Sequence, residues 1–117
     1  KRVEERMNVN PIVISALSPL GLPVSANVYE GTADEYITFN YADERPALYA
    51  DDSDVYDKTA IQVHYFTKGN PQTNKKAIRK ALRGAGFTIL STSEFYESDT
   101  GYVHIVVEAW ISGYVDD

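Results

Sequence analysis

Alternating apolar and polar positions predict strands in several parts of the chain. Residues 35–41 and 59–67 are rich in aromatic and β-branched side chains and alternate at period two, which is typical of half-buried strands. Residues 87–97 and 102–111 repeat this pattern on either side of a polar turn, which predicts a β-hairpin. A shorter extended piece is expected at residues 24–29.

A first helix is predicted near the beginning of the chain. Asn10 and Pro11 are expected to open it as an N-cap followed by proline at the first helical position. Apolar residues then recur at helical spacing, at Ile12, Val13, Ala16, Leu17 and Leu20. Pro19 should end or distort the last turn, because proline cannot donate a backbone hydrogen bond.

A second helix is predicted between the strand at residues 59–67 and the hairpin. Asn70 and Pro71 repeat the helix-opening pair, and Gly84 or Gly86 supplies the C-terminal stop. A narrow apolar stripe follows the spacing of one helical face: Ile78, Ala81, Leu82 and Ala85. The remaining faces carry most of the basic residues of the chain.

The order of these elements predicts an α+β domain, with two helices packed on one face of a mostly antiparallel four- to five-stranded sheet. Residues 42–57 are expected to form a long polar connection, broken by Pro46 and containing a short strand at 47–50. Residues 1–9 are expected to be a flexible N-terminal extension or an expression remnant, and residues 10–117 a single domain. No apolar run is long enough to span a bilayer and no signal peptide opens the chain, so synthesis inside the cell is expected.

Charged residues are sorted into blocks on a chain whose net charge is −6. Residues 27–57 hold nine acids and one base, Arg45, whereas residues 68–86 hold six bases and no acid. Residues 94–117 hold six acids and no base. Separated patches of opposite sign indicate complementary surfaces that steer association, although a solvated helix face beside a solvated loop gives the same pattern.

Side chains that could carry out chemistry are few. The chain has no cysteine, which excludes disulfides, thiolate metal sites and cysteine nucleophiles. His64 and His104 each fall in the middle of a predicted strand, where a single histidine more often fills a surface or core position than acts as a base or ligand. The sequence leaves open whether the two histidines are neighbours across the sheet.

Known chemical motifs are also missing from the sequence. Asp52 and Asp54 have the first spacing of a calcium loop, but no glycine follows them, so a solvated acidic loop is the better interpretation. There is no Gly-x-Ser-x-Gly elbow and no phosphate-binding glycine loop. The sequence therefore predicts a protein that is not an enzyme and has no metal site and no cofactor.

The last predicted strand is apolar on both faces. One face, expected to pack under the helices, holds Val103, Ile105, Val107, Ala109 and Ile111. The other face holds Tyr102, His104, Val106, Glu108 and Trp110. A sheet with helices on one side should be polar on the other, so Tyr102, Val106 and Trp110 are predicted to contribute to an interface or to be covered by another part of the chain.

Several segments together resemble a known family. They are ALSPLGLPV at residues 16–24, YEGTADEYITF at 29–39, ADD at 50–52, IQVHYF at 61–66 and AGF at 85–87. In this order the chain resembles the small tail-completion proteins (tail terminators, or head-to-tail joining proteins) of long-tailed phages and prophages. The resemblance lies at the level of the fold and contains no catalytic signature.

This resemblance implies a structural virion protein that assembles as a ring, expected to be a hexamer, on the end of the tail tube. Its partners would be further copies of itself, the tail tube protein and a head-completion or neck protein. The implied location is the tail–neck junction of the virion, after assembly in the cytoplasm of a bacterial host. No membrane association and no specific nucleic-acid binding are expected. The alternatives are a head-completion or neck adaptor protein and, in another class, a small nucleic-acid-binding module that uses the basic helix.

The charge blocks also predict how neighbouring copies would meet in such a ring. The acidic residues of one copy are Asp51, Asp52, Asp54 and Asp57. The basic residues of its neighbour are Lys75, Lys76, Arg79, Lys80 and Arg83. Like charges four positions apart on a helix each cost about 0.2–0.5 kcal/mol, which is easier to understand if acids of a neighbouring copy offset them.

Overall fold

The computed structural model of the protein describes residues 8–46 and 56–114. In chain order the elements are α1 (Val9–Leu17), a 3₁₀ helix (Ser18–Leu20), β1 (Val24–Ala26), β2 (Glu35–Pro46), β3 (Tyr56–Thr67), α2 (Gln72–Gly84), β4 (Thr88–Glu97) and β5 (Tyr102–Tyr114). The strands form one sheet in the order β1-β2-β3-β5-β4, in which β1 and β2 are parallel and all other neighbours are antiparallel. The predicted α+β class and the mostly antiparallel sheet are confirmed.

The core lies between the helices and one face of the sheet. The sheet contributes Ile37, Phe39, Ile61, Val63, Tyr65, Ile105, Val107, Ala109 and Ile111. The helices contribute Val9, Val13, Leu17, Ile78 and Leu82, and Phe87 follows α2. Full burial of each large apolar side chain stabilises the fold by about 1.5–3 kcal/mol relative to exposure. The predicted apolar faces of the strands are therefore the faces that the helices cover.

The N-terminal helix begins earlier than predicted. α1 starts at Val9, whose side chain is buried, and Asn8 occupies the N-cap position without a side-chain capping bond. The prediction that Asn10 caps the helix is therefore wrong. Pro11 still lies within the first turn, where its missing N–H leaves no helical bond unmade. The backbone tightens into the 3₁₀ helix at Ser18, as expected from Pro19.

The second helix ends in a Schellman motif. The N–H of Gly86 donates to the carbonyl of Arg83 at 3.0 Å, and the N–H of Phe87 donates to the carbonyl of Leu82 at 2.9 Å. Gly86 has φ +103°, a conformation that favours glycine, so Gly86 rather than Gly84 supplies the stop. At the other end of α2 the N–H of Gln72 donates to the Asn70 side chain at 2.9 Å.

The central strands are longer than the sequence pattern predicts. β2 reaches Pro46 and β3 begins at Tyr56, so the predicted polar connection at 42–57 is wrong at both ends. β5 also continues to Tyr114 and pairs with β3 along this stretch, so hydrogen bonds to two neighbours hold β3 in place. Proline is tolerated in this part of β2 because no described strand pairs with its other edge. Asp57 consequently lies in β3.

Within the two described ranges, no helix has both the length and the apolar character needed to cross a membrane.

Candidate interaction surface

The face of the sheet opposite the helices, called the outer face below, carries a row of stacked aromatic rings. Register pairs Tyr36 of β2 with Phe66 of β3, Phe66 with His104 of β5, and His104 with Phe95 of β4. The ring centroids are 4.8 Å, 4.2 Å and 6.0 Å apart in that order. Tyr29, from the connection between β1 and β2, stacks on Tyr36 at 4.4 Å. These five residues form the aromatic row.

The orientation of these rings limits what the surface can bind. Tyr29, Tyr36, Phe66 and His104 are nearly parallel to their neighbours, with interplanar angles of 20° to 24°. Because ring faces contact ring faces along the row, ring edges point away from the sheet. Each pair contributes about 0.5–1.5 kcal/mol beyond its buried area. The four stacked rings thus stiffen the sheet and offer little free ring surface on which a nucleotide base could stack, whereas Phe95 is tilted against His104 and 53% exposed.

Tyr102 packs against this row. Its ring makes edge contacts with Tyr36 at 5.9 Å and with Phe66 at 6.1 Å. The Nζ atom of Lys68 lies 4.9 Å from the centre of the Tyr102 ring, which is a cation–π geometry. Tyr102 is half-buried in the single chain.

Two histidines form a hydrogen-bonded pair beside the aromatic row. The Nδ1 atom of His64 lies 2.8 Å from the Nε2 atom of His104. The other nitrogen of His64 lies 3.1 Å from the Asn40 side-chain oxygen and 3.2 Å from that of Gln62. The other nitrogen of His104 lies 3.4 Å from a Glu97 carboxylate oxygen. The two histidines, which the sequence left as possible neighbours, are in contact.

Their surroundings decide which nitrogens carry protons. Amide oxygens accept hydrogen bonds, so Nε2 of His64 carries the proton and donates. Nδ1 of His64 therefore accepts a hydrogen bond from the Nε2–H of His104. Burial lowers the pKa of both histidines, and the positive charge of His104 lowers the pKa of His64 further. Glu97 acts in the opposite direction on the pKa of His104. The pair is therefore neutral near pH 7.

A second transverse row on the outer face is polar. Asn40, Gln62, Glu108 and Ser91 follow one another across β2, β3, β5 and β4. The Glu108 carboxylate accepts a hydrogen bond from Gln62 at 2.9 Å and one from Ser91 at 3.1 Å. These bonds satisfy a half-buried carboxylate and tie three strands together.

Val106 and Trp110 complete the outer face as β5 continues. Val106 lies opposite His64, and Trp110 lies between Ala60 and Thr88. The Nζ atom of Lys58 lies 4.3 Å from the centre of a Trp110 ring. Val106 and Trp110 are both half-buried, so this surface is intermediate between a core and a fully wet face. That it forms an interface in an assembly stays a prediction.

The basic residues of α2 divide into two groups. The Nζ atom of Lys75 lies 3.4 Å from Glu94 of β4, and the half-buried Arg79 has a buried Nε atom without an acceptor among residues 8–46 and 56–114. Lys76, Lys80 and Arg83 are exposed. The sequence pattern could not separate these groups, because it does not reveal that one flank of α2 overlies β4.

The acids predicted to meet α2 are placed only in part. The predicted strand at 47–50 and the residues Asp51, Asp52 and Asp54 lie outside the described residues. Asp57 is not part of a loop, because its backbone pairs in β3 with Pro46 of β2. Within the described residues, no group of three or more histidine, aspartate or glutamate side chains is placed to hold a metal ion.

Comparisons with known proteins identify the fold. No protein-family model matches the chain, and no curated protein sequence matches it. Among solved structures, the chain is similar to a chain in the "Virion of native gene transfer agent (GTA) particle", with a TM-score of 0.52 and 17% sequence identity. The likeness covers 86% of this chain and 92% of that chain. At this identity the likeness concerns the fold alone: this chain and that virion chain share a fold.

Proposed function

We propose that this chain is a structural protein of a phage or phage-like virion, and that it caps the tail tube as a ring and joins the tail to the head. The observation that carries the proposal is the fold shared with a virion chain over 86% of this chain. The tail-completion resemblance of the sequence supports the more specific role. The proposed partners are further copies of the chain, the tail tube protein and a head-completion or neck protein.

The surface chemistry supports a role in assembly rather than in catalysis. The outer face is wide, partly apolar and braced by the aromatic row and the histidine pair, which suits a surface that must keep its shape in a particle. A non-enzymatic role without a cofactor is part of the proposal. A neck adaptor would use the same features, so the position of the ring in the particle separates the two roles.

A nucleic-acid-binding role has weaker support. Lys76, Lys80 and Arg83 are exposed, but Lys75 is paired with Glu94 in the same chain. Three to five phosphate contacts give only weak, salt-sensitive binding, at roughly 10⁻⁴ to 10⁻⁶ M for non-specific complexes. Four rings of the outer face, those of Tyr29, Tyr36, Phe66 and His104, stack on one another rather than offering free faces.

The proposed function is tested by adding the purified chain to polymerising tail tube protein encoded in the same genome. Tube growth, followed by light scattering, should stop, and electron microscopy should show a ring at one end of each tube. An equal amount of an unrelated acidic protein is the control. Tubes that lengthen at the control rate without terminal density would contradict the capping role.

A further inference from the structure

One edge of the sheet is open along a whole strand. Within the described residues β4 pairs with β5 alone, so the other side of its backbone is free. Natural edge strands are usually blunted by lysine, proline or a bulge. The β4 sequence, TILSTSEFYE, has neither lysine nor proline, and its one irregularity lies near its start, between Ile89 and Ser91. Its two charged residues are Glu94, which pairs with Lys75 of α2, and Glu97 near its end. Leu90 and Tyr96 are 55% and 69% exposed. This edge can accept a further strand.

Within the described residues, the opposite edge of the sheet is also free, and its strand runs in the direction needed for antiparallel pairing with β4. Among residues 8–46 and 56–114, β1 forms this edge and pairs only with β2. β1 is parallel to β2, whereas β4 is antiparallel to it because β3 and β5 alternate between them. A second copy placed beside the first in the same orientation would therefore bring β4 and β1 together as an antiparallel pair. Val28, just after β1, is 60% exposed.

The elements beside the two edges carry opposite charge, whereas β4 itself holds Glu94 and Glu97 and β1 holds no charged residue. Residues 27–46, which include β2 and the connection leading to it, hold five acids and one base. α2, which packs beside β4, holds five bases and no acid. At about 3.6 residues per turn, Arg79 and Arg83 follow Lys75 along the flank of α2 that overlies Glu94 of β4. The buried Nε atom of Arg79 lacks an acceptor within the described residues.

We propose that the free edge of β4 pairs with the free edge of β1 of a second copy of this chain, head to tail, so that one sheet continues across the contact. Opposite charge on α2 beside β4 and on residues 27–46 beside β1 orients the copies, and backbone hydrogen bonds fix their register. A head-to-tail contact repeats and closes into a ring when the rotation permits. The ring rests on the proposed function, whereas the strand pairing rests on the two edges alone.

Sheet register identifies the residues that should meet. One transverse row runs through Ser25, Thr38, His64, Val106 and Ser93, so Ser93 of one copy should lie opposite Ser25 of the next. Directly opposite residues of antiparallel strands have Cα atoms about 4.5–5.5 Å apart, which a disulfide can span. The chain has no cysteine, so introduced cysteines are the only thiols.

The test uses Ser25→Cys and Ser93→Cys in the full chain under mild oxidation. Each single variant alone should stay uncross-linked, a mixture of the two should give only covalent dimers, and the double variant should give a ladder that ends at the ring size. Ser15→Cys, at an exposed position of α1, is the control and should cross-link with neither variant. Ser91→Cys probes the register and should react with Ser25→Cys at least about tenfold more slowly than Ser93→Cys does.

Other outcomes overturn the proposal. Cross-linking of Ser93→Cys with itself would indicate a symmetric contact, and equal reaction of Ser91→Cys and Ser93→Cys would contradict the register. No cross-link between Ser25→Cys and Ser93→Cys, in solution or on capped tail tubes, would exclude the strand pairing. If tubes are capped without this cross-link, the proposed function stands and the edge contact is wrong. If the cross-link forms but tubes are not capped, the edge contact stands and the proposed function is wrong.

Discussion

The Nδ1 atom of His64 and the Nε2 atom of His104 lie 2.8 Å apart, at a point where the aromatic row meets the polar network of the outer face. One of these nitrogens donates and the other accepts, so the contact needs at least one neutral imidazole. The first proton added to the pair is expected on Nδ1 of His104, because Glu97 lies 3.4 Å from that atom. A second proton, on Nδ1 of His64, breaks the hydrogen bond and places two cations in contact.

The histidine pair predicts that stability falls as the pH falls. Both folded-state pKa values are lowered from 6.5, mainly by burial, so below that pH the unfolded chain binds more protons than the folded chain. The free energy of unfolding should therefore decrease between about pH 7.5 and about pH 5.5, before the carboxylates titrate. Urea unfolding of the wild-type chain measures this slope. The His64→Asn/His104→Phe variant should show a flatter profile, and equal slopes would contradict the assignment.

A buried hydroxyl under the helices gives a second prediction. The Tyr65 side chain is fully buried, and its hydroxyl donates to the Glu35 carboxylate and accepts from the Asn74 amide at 3.1 Å. Tyr65→Phe leaves both partners with one bond fewer and should cost about 1–3 kcal/mol in the free energy of unfolding. Tyr41→Phe, at an exposed tyrosine, is the matched control and should change it by less than about 0.5 kcal/mol. Equal losses in the two variants would show that the Tyr65 hydrogen bonds contribute nothing.

The end of α2 gives a prediction with opposite signs at two glycines. Gly86 has φ +103°, and a Cβ there would lie 3.6 Å from Ile111, so the cost of Gly86→Ala is conformational rather than steric. It should destabilise the fold by at least about 1 kcal/mol. Gly84 is helical and open, so Gly84→Ala should stabilise the fold by about 0.5 kcal/mol. Thermal unfolding compares the two variants, and a stabilising Gly86→Ala would contradict the Schellman stop.

The charged flank of α2 predicts a defect in assembly without a defect in folding. Arg79→Glu/Arg83→Glu should weaken self-association while circular dichroism stays unchanged, because these side chains lie outside the apolar core. Sedimentation velocity at low and high salt measures the association, and the wild-type association should weaken as salt rises. Lys80→Glu, at an exposed position of α2 outside the row formed by Lys75, Arg79 and Arg83, is the matched control. Partial rescue by Asp52→Lys/Asp54→Lys is expected if acids of the β2–β3 connection contribute. Association of Arg79→Glu/Arg83→Glu at the wild-type level would show that this flank of α2 is only solvated.

Most of the fold could be predicted because the local patterns are strong. Period-two alternation at Ile61, Val63 and Tyr65 placed one face of β3 in the core, and the stripe around Ile78 and Leu82 placed α2 upon it. The ends of β2 and β3 could not be predicted. Their outer parts contain Pro46 and several acids, and only the pairing of β2 with β3 and of β3 with distant β5 makes them strands. Tertiary pairing outweighed local propensity there.

The candidate surface could be predicted in outline only. The alternation of β5 identified Tyr102, Val106 and Trp110 as outward-facing, and the three share the outer face. The aromatic row depends on the register of four strands, which no local pattern contains. The alternation within β3 and within β5 places His64 and His104 on the outer face. Their contact is diagonal, however, because His64 pairs directly with Val106, and this register could not be read from either strand alone.

The central claim, that this chain ends the tail tube and joins it to the head, is tested most directly by deleting its gene from the phage or prophage and imaging the particles by electron microscopy. The account predicts tail tubes of irregular, excessive length beside unattached filled heads, with both defects reversed by the wild-type gene supplied in trans. Arg79→Glu/Arg83→Glu should restore fewer joined particles than Lys80→Glu. Tails of normal length joined to heads in the deletion strain would contradict the claim. Free tails of normal length would indicate a neck adaptor protein instead of a tail cap.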